Sequence, residues 1–269
     1  MQGIVVRAAA IAALVLSVSP AQALEPFKVY DKFAERPLDP ARWAEGERVR
    51  EIRGAGVLRV MQRSYGLGGT DFGLQFQSWG STLTNPSTVT ALRARVNVTA
   101  LETNACPSNP AFSQARARIA GTFFNIATPT PGSMLNDAFA QVKLVRFSNS
   151  GDPDGVLRVQ GILSLCTTAD CNSSATVGNV VDLGTVAVGT PTVVQLQWDK
   201  GGKTFYFSRD NGAFSGTVAY AFDDTSPPGN PFKQLSTRVD LPNCQSAAPV
   251  SALVDVKFDN VQVNQSTVP

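Results

Sequence analysis

Residues 197–212 read QWDKGGKTFYFSRDNG. Just upstream and into this stretch, Val194, Leu196 and Trp198 alternate with Gln195 and Gln197; beyond the DKGG reversal, Phe205 and Phe207 flank Tyr206. A period of two places Val194, Leu196, Trp198, Phe205 and Phe207 on one sheet face, leaving Gln195, Gln197 and Tyr206 on the other. The stretch is therefore a β-hairpin whose buried face includes Trp198, and a second reversal, RDNG, follows at once.

The same alternation recurs along the chain. VREIR, GVLRVMQRS, DFGLQFQSW, TALRARVNV, ARARIAGTFF, AFAQVKLVRF, GVLRVQGILSL, NVVDLGTV, PTVVQLQW, KTFYFSR, FSGTVAYAF, KQLSTRVDL and ALVDVKFDNVQV all read as strands. No long segment keeps apolar residues at helical spacing. NPS, TPTPG, GDPDG and TSPPGNP supply turn residues between them. That many strands in one open sheet would curl or split, so the expectation is all-β: two packed antiparallel sheets in a single sandwich domain, residues 24–269.

Residues 1–23 carry one cation, Arg7, an apolar run from Ala8 to Val18, and Ala21 and Ala23 at the small-residue positions before a cleavage point. This is the pattern of a secretory signal peptide. The expected location is secreted or periplasmic, with no membrane insertion, since no later run approaches a bilayer span. The four cysteines all follow that leader. In an oxidising compartment they are expected to form disulfides in preference to a metal site. Cys166 and Cys171 bracket a four-residue turn, which makes them the simplest pair and leaves Cys106 for Cys244.

The formal charge is only +2. Global charge therefore gives no reason to expect nucleic acid as a partner. Histidine is absent, which excludes Ser-His-Asp and Cys-His nucleophiles, a His-bound zinc and a histidine general base. Glycoside hydrolysis by two carboxylates is not excluded by that absence.

YDKFAERPLDPARW (30–43) with REIRGAGVLRV (50–60) resembles the opening strands of the concanavalin A-like lectin/glucanase superfamily, which includes laminin G-like jelly rolls. VDVKFDNVQV (254–263) resembles its closing strand, and residues 197–212 its penultimate hairpins. The resemblance implies a concanavalin A-like jelly roll. Family 16 glycoside hydrolases within that group carry E-x-D-x-E on one strand; here every Glu lies at or before Glu102, and no such segment exists. Arg50-Glu51-Ile52-Arg53 is similar to the R-E-x-R strand of jelly-roll alginate lyases, but their Q-x-H strand has no counterpart in a chain without histidine. The expected protein is non-catalytic, with a divergent glycoside hydrolase or polysaccharide lyase as an alternative. A structural or adhesive envelope protein without a sugar ligand is another.

The resemblance also implies a structural calcium where first and last strands meet, with Asp31 and Asp259 in matching positions. Two aspartates are a small part of the six to eight oxygens calcium takes; strand caps are the plainer reading.

Alternation assigns the polar face as well. Arg93 and Arg95 oppose Leu92, Ala94 and Val96; Arg116 and Arg118 oppose Ala115, Ala117 and Ile119. Lys143 opposes Val142 and Leu144, and Arg158 and Gln160 oppose Leu157 and Val159. In 71–79 the apolar set Phe72, Leu74 and Phe76 leaves Gln75, Gln77 and Trp79 outside. If these strands are neighbours, Arg93, Arg95, Arg116, Arg118, Lys143, Arg158 and Gln160 line one groove, with Trp79 and Tyr206 as stacking rings. Arginine forks suit carboxylate or sulfate, so the expected partner is a poly- or oligosaccharide, of which an acidic one fits this face best. The plainer alternative is a solvated sheet face.

Overall fold

The computed structural model of the chain describes residues 47–84 and 86–264. The proposed signal peptide and Asp31 lie outside the described residues. Among the described residues, thirteen strands form two antiparallel sheets. Seven of them are β1 (Arg48–Arg53), β2 (Val57–Tyr65), β4 (Ala91–Thr103), β9 (Thr192–Asp199), β10 (Thr204–Arg209), β11 (Phe214–Ala219) and β13 (Ser251–Val263), in the order β1-β2-β13-β4-β9-β10-β11. The others are β3 (Leu74–Thr82), β5 (Gln114–Asn125), β6 (Asp137–Phe147), β7 (Val156–Cys166), β8 (Ser174–Ala187) and β12 (Lys233–Pro242), in the order β3-β12-β5-β6-β7-β8. The late strand β13 inserts between β2 and β4, and β12 between β3 and β5. Chain closure thus joins the last strands to the first in both layers, the two-sheet jelly-roll sandwich expected from the sequence. Among the described residues no helix is long and apolar enough to cross a membrane.

The core is the sum of the inward faces. Leu92, Ala94, Val96 and Val98 of β4 meet Ala115, Ala117 and Ile119 of β5, together with Val142, Leu144, Leu157 and Val159. In the hairpin of β9 and β10, Phe205 pairs with Trp198 and Phe207 with Leu196 across the ladder. The Trp198 and Phe205 rings stack at 6.3 Å and 15°. Phe205 also meets Phe123 of the other sheet edge-on at 5.0 Å, so Trp198 belongs to the core as its parity predicts. At Gly161 of β7 an added Cβ would stand 2.4 Å from Phe207 Cγ of the other layer; only glycine leaves room for that ring.

Both turns that flank β10 use local chemistry. Asp199 Oδ1 accepts from Gly202 N at 3.0 Å. In RDNG, Asp210, Asn211 and Gly212 all adopt positive φ, and Asp210 Oδ1 accepts from Thr192 Oγ1 at 2.6 Å, which ties the turn to β9. Disulfides join Cys106 to Cys244 and Cys166 to Cys171, as expected. The first connects the entrance of β5 to the exit of β12. The second closes the turn after β7.

One strand reverses its expected parity. In β3, Trp79 points between the sheets, packs against the core and donates from Nε1 to Val49 O at 3.0 Å, while Phe76 takes the outer face. The reason is polar packing at this margin of the sandwich. Gln62 is fully buried there, donating to Ser64 Oγ and accepting from Thr237 Oγ1, so a strand facing that layer need not present its most apolar set inward.

Candidate functional site

The outer face of the six-stranded sheet carries rows of side chains set by strand register. One row runs Ser78, Arg238, Arg116, Val145, Arg158, and the next runs Gly80, Ser236, Arg118, Lys143, Gln160, Asp182. Arg238 is therefore the direct cross-strand neighbour of Arg116, and Arg118 that of Lys143. Like charges placed directly opposite one another destabilise a ladder, and here two such pairs lie in adjacent rows.

A single carboxylate among the described residues of this patch compensates them. Asp240 accepts from Arg238 Nε at 2.9 Å and stands 3.4 Å from Arg116 Nη2. Among the described residues the hydrogen-bond partners of Arg118 are neutral: Ser236 Oγ at 3.0 Å, Ser78 Oγ at 3.4 Å and Gln141 Oε1 at 3.5 Å. Arg116, Arg118, Lys143 and Arg238 retain 7, 5, 7 and 9% of their exposure, so water screens them poorly. Burial, with the neighbouring guanidinium charges adding to it, pushes Lys143 down to about 7. Burial also drives Arg116 and Arg118 below the usual arginine range, though a guanidinium remains charged at neutral pH. Arg116 Nε is buried with no hydrogen-bond partner.

Beside this patch lies a cavity of about 360 Å³, lined by Arg118 and Arg238, the rings of Phe76, Phe139 and Phe232, and Asn172 and Asn230, among others. Arg238 sits over Phe76 at 4.7 Å and Arg118 over Phe139 at 5.6 Å. The Cys166–Cys171 turn supplies one wall through Cys171, Asp170 and Asn172. Asp170 is exposed and accepts from Asn172 N at 3.0 Å and Thr168 Oγ1 at 2.7 Å; these hydrogen bonds, the backbone one first, hold its carboxyl below the ordinary range. A general acid needs the opposite shift.

The structure does not bring all the sequence-predicted residues together. Arg116, Arg118, Lys143 and Gln160 share the outer face of the six-stranded sheet. Arg158 shares its row but is held at the rim by Asp152, at 2.8 Å and 3.0 Å. Arg93 and Arg95 are on β4 of the other sheet, as is Tyr206 on β10, so they face the opposite side of the sandwich. There Arg93 donates to Asn211 Oδ1 and Arg95 lies 3.9 Å from Asp259. The single groove expected from all the strands is thus corrected to a smaller one, because the chain crosses from one layer to the other between β4 and β5. Trp79 is corrected from stacking ring to interior residue for the reason given above.

Arg238, Asp240, Phe76, Phe139 and Phe232 escaped the sequence reading. For Arg238 and Asp240 a signal existed: in KQLSTRVDL, Leu235, Val239 and Leu241 take one parity and leave Gln234, Ser236, Arg238 and Asp240 on the other. The R-E-x-R resemblance has an ordinary structural account. Glu51 accepts from Arg53 at 2.5 Å and from Arg59 at 3.0 Å, within a charge network that extends to Asp255.

The inferred calcium pair is incomplete among the described residues. Asp259 faces Arg95 and caps Asn260 N at 2.7 Å. The group that gathers three metal-type ligand atoms is Asp71, Cys106 and Cys244, and both its sulfurs belong to a disulfide. Asp71 instead accepts from Gln245 N at 2.7 Å and Ser246 N at 3.2 Å, pinning the loop beside that bridge.

No protein-family model and no curated protein matches the sequence. Several solved structures are similar in fold. The carbohydrate recognition domain of Emp47p aligns at 10% identity over 80% of this chain and 86% of its own, with a TM-score of 0.33. SCLam, a non-specific endo-β-1,3(4)-glucanase of family GH16, aligns at 11% identity over 77% of this chain and 72% of its own, with a TM-score of 0.31. The legume lectin-like domain from Entamoeba histolytica aligns at 9% identity over 80% and 84%, with a TM-score of 0.29. Likenesses this remote assign neither fold, ligand nor activity to this chain.

Proposed function

We propose that this chain is an exported, non-catalytic carbohydrate-binding protein that takes an anionic glycan on the outer face of its six-stranded sheet. The observation that carries the proposal is the pair of adjacent like-charged ladders, Arg238 with Arg116 and Arg118 with Lys143, which among the described residues Asp240 alone compensates. A carboxylate or sulfate entering the patch would relieve that repulsion and give the arginine forks a planar acceptor. The rings of Phe76, Phe139 and Phe232 offer apolar surface to a pyranose beside the charge. Export is the reading that the two disulfides and the leader-like residues 1–23 support together. The absence of a second role for the groove carboxylates supports the non-catalytic part: Asp240 is engaged by arginine and Asp170 by its own turn.

A glycan array read at low and at moderate ionic strength tests this. Binding to uronate- or sulfate-bearing glycans is expected at low salt, with clear weakening as salt rises, although less steeply than for a fully exposed patch. The double change Arg118→Ala with Arg238→Ala should weaken it at least tenfold, the lower end of what losing charged hydrogen bonds costs. Silence on every acidic glycan at low salt, or binding indifferent to the double change, removes the proposal.

A pH dependence follows from Lys143. The groups facing it are Arg118 and Gln160 across the ladder, Phe147 on its own strand with the ring 5.4 Å from Nζ, and Arg116, Arg238 and Asp240 in the surrounding field. Its ammonium is charged below about 7 and neutral above. Affinity for an anion should therefore be several-fold higher at pH 6 than at pH 8. In Lys143→Arg, which stays charged, the difference should disappear; titration calorimetry of both proteins with one acidic oligosaccharide checks it.

A further inference from the structure

We infer that the groove selects a glycan in which charged and uncharged sugars alternate, in preference to one charged at every residue. This rests on the anionic-glycan reading above and assigns a different chemistry to each end of the cavity. At one end Arg118 and Arg238 stand among the like-charged ladders and favour an anion.

Along the strands from Arg118, past the pairs Lys233 with Gly121 and Phe139 with Thr122, the lining continues to the other end with Met134, Asn172, Asn230 and Phe232, and with Asp170 on the wall. Asp170 is held ionised by the hydrogen bonds of its own turn, and among the described residues no cation is a hydrogen-bond partner of it. A carboxylate placed there would be repelled, whereas amide side chains and a phenyl ring suit hydroxyl or acetamido groups and an apolar sugar face. A disaccharide unit of one uronate and one neutral hexosamine matches both ends; a second uronate does not.

The test compares three hexasaccharides on the full chain by titration calorimetry at low salt: glucuronate alternating with N-acetylglucosamine, hexagalacturonate, and the neutral N-acetylglucosamine hexamer. The alternating oligomer is expected to bind at least tenfold more tightly than hexagalacturonate, with the neutral one weakest. Asp170→Asn keeps the Oδ1 acceptor of the turn and should raise hexagalacturonate affinity several-fold while leaving the alternating oligomer within twofold. Equal or tighter binding of hexagalacturonate by the unmodified protein overturns the selectivity and leaves anionic-glycan binding standing. An Asp170→Asn protein that keeps its melting temperature but not the expected shift also overturns it. If neither acidic hexamer binds, both the selectivity and the reading beneath it fall.

Discussion

Replacing Cys106 and Cys244 together by alanine is expected to cost the fold on the order of 5 kcal/mol. The two residues are 138 apart in sequence, and in the chain-entropy model a loop of that size gives a little over the roughly 4.7 kcal/mol of a 100-residue loop. Beside the bridge, Ser108 Oγ meets Ser246 Oγ and Asn109 Nδ2 donates to Asn243 O, but these contacts exist only in the folded state and do not restrict the unfolded chain as the bridge does. Cys106 and Cys244 are buried where the entrance of β5 and the exit of β12 meet, and both are members of the main core cluster. Asp71, half-buried on a neighbouring loop, holds the adjoining Gln245 and Ser246 amides. Urea unfolding measures the effect as a lower midpoint, together with a steeper dependence on urea because the unbridged chain exposes more surface. A loss below about 1 kcal/mol would show that the bridge constrains little in the unfolded chain. By the same model, removing Cys166–Cys171, which spans a separation of 5, should cost roughly 2 kcal/mol.

The second large effect concerns Lys233. Its side chain is almost completely buried at the start of β12. Nζ donates to Thr122 O at 2.5 Å and to Pro86 O at 3.3 Å, and lies 4.1 Å from the centre of the Phe123 ring. No carboxylate is among these partners, and burial alone pushes its pKa from 10.5 down to about 7. Because the folded value is the lower one, the unfolded chain binds an extra proton between about pH 7 and 10.5. Stability therefore rises with pH through that window, and the cost is fully present below it. At about 1.4 kcal/mol per pH unit, tapering toward the upper limit, the gain between pH 7 and 9.5 is roughly 3 kcal/mol.

Lys143, also pushed down to about 7, adds to the same slope. The diagnostic comparison is therefore with Lys233→Met, of similar length and without charge. Chemical denaturation at pH 7 and 9.5 should show the variant losing most of the Lys233 share of the rise. Identical slopes in the two proteins would mean that Lys233 reaches water in the folded state.

The strands and their turns were legible in the sequence because a period of two is a local property. Each of the thirteen segments announces its own face, and for β4, β5, β9 and β10 the buried set is the expected one: Leu92 to Val98, Ala115 to Ile119, Val194 and Leu196, Phe205 and Phe207. The cysteine pairing was legible too, since a four-residue turn between two strands leaves one simple choice. Which faces meet was a different matter. Alternation says that Arg93 and Arg116 both point away from an apolar face; it cannot say that those faces belong to different sheets. That depends on the chain crossing between layers after β4, which sets β4 beside β13 and β9 in one sheet and β5 beside β12 and β6 in the other.

The parity of β3 was likewise decided from outside the strand. Gln62, Ser64 and Thr237 satisfy one another between the layers, so Trp79 turns inward to meet Val49 O, and Phe76 is left facing Arg238 across the groove. Local periodicity thus determines which residues can be strand, core and polar face. The tertiary pairing decides which cations become neighbours, and charge repulsion between neighbours is what turns a polar face into a candidate site.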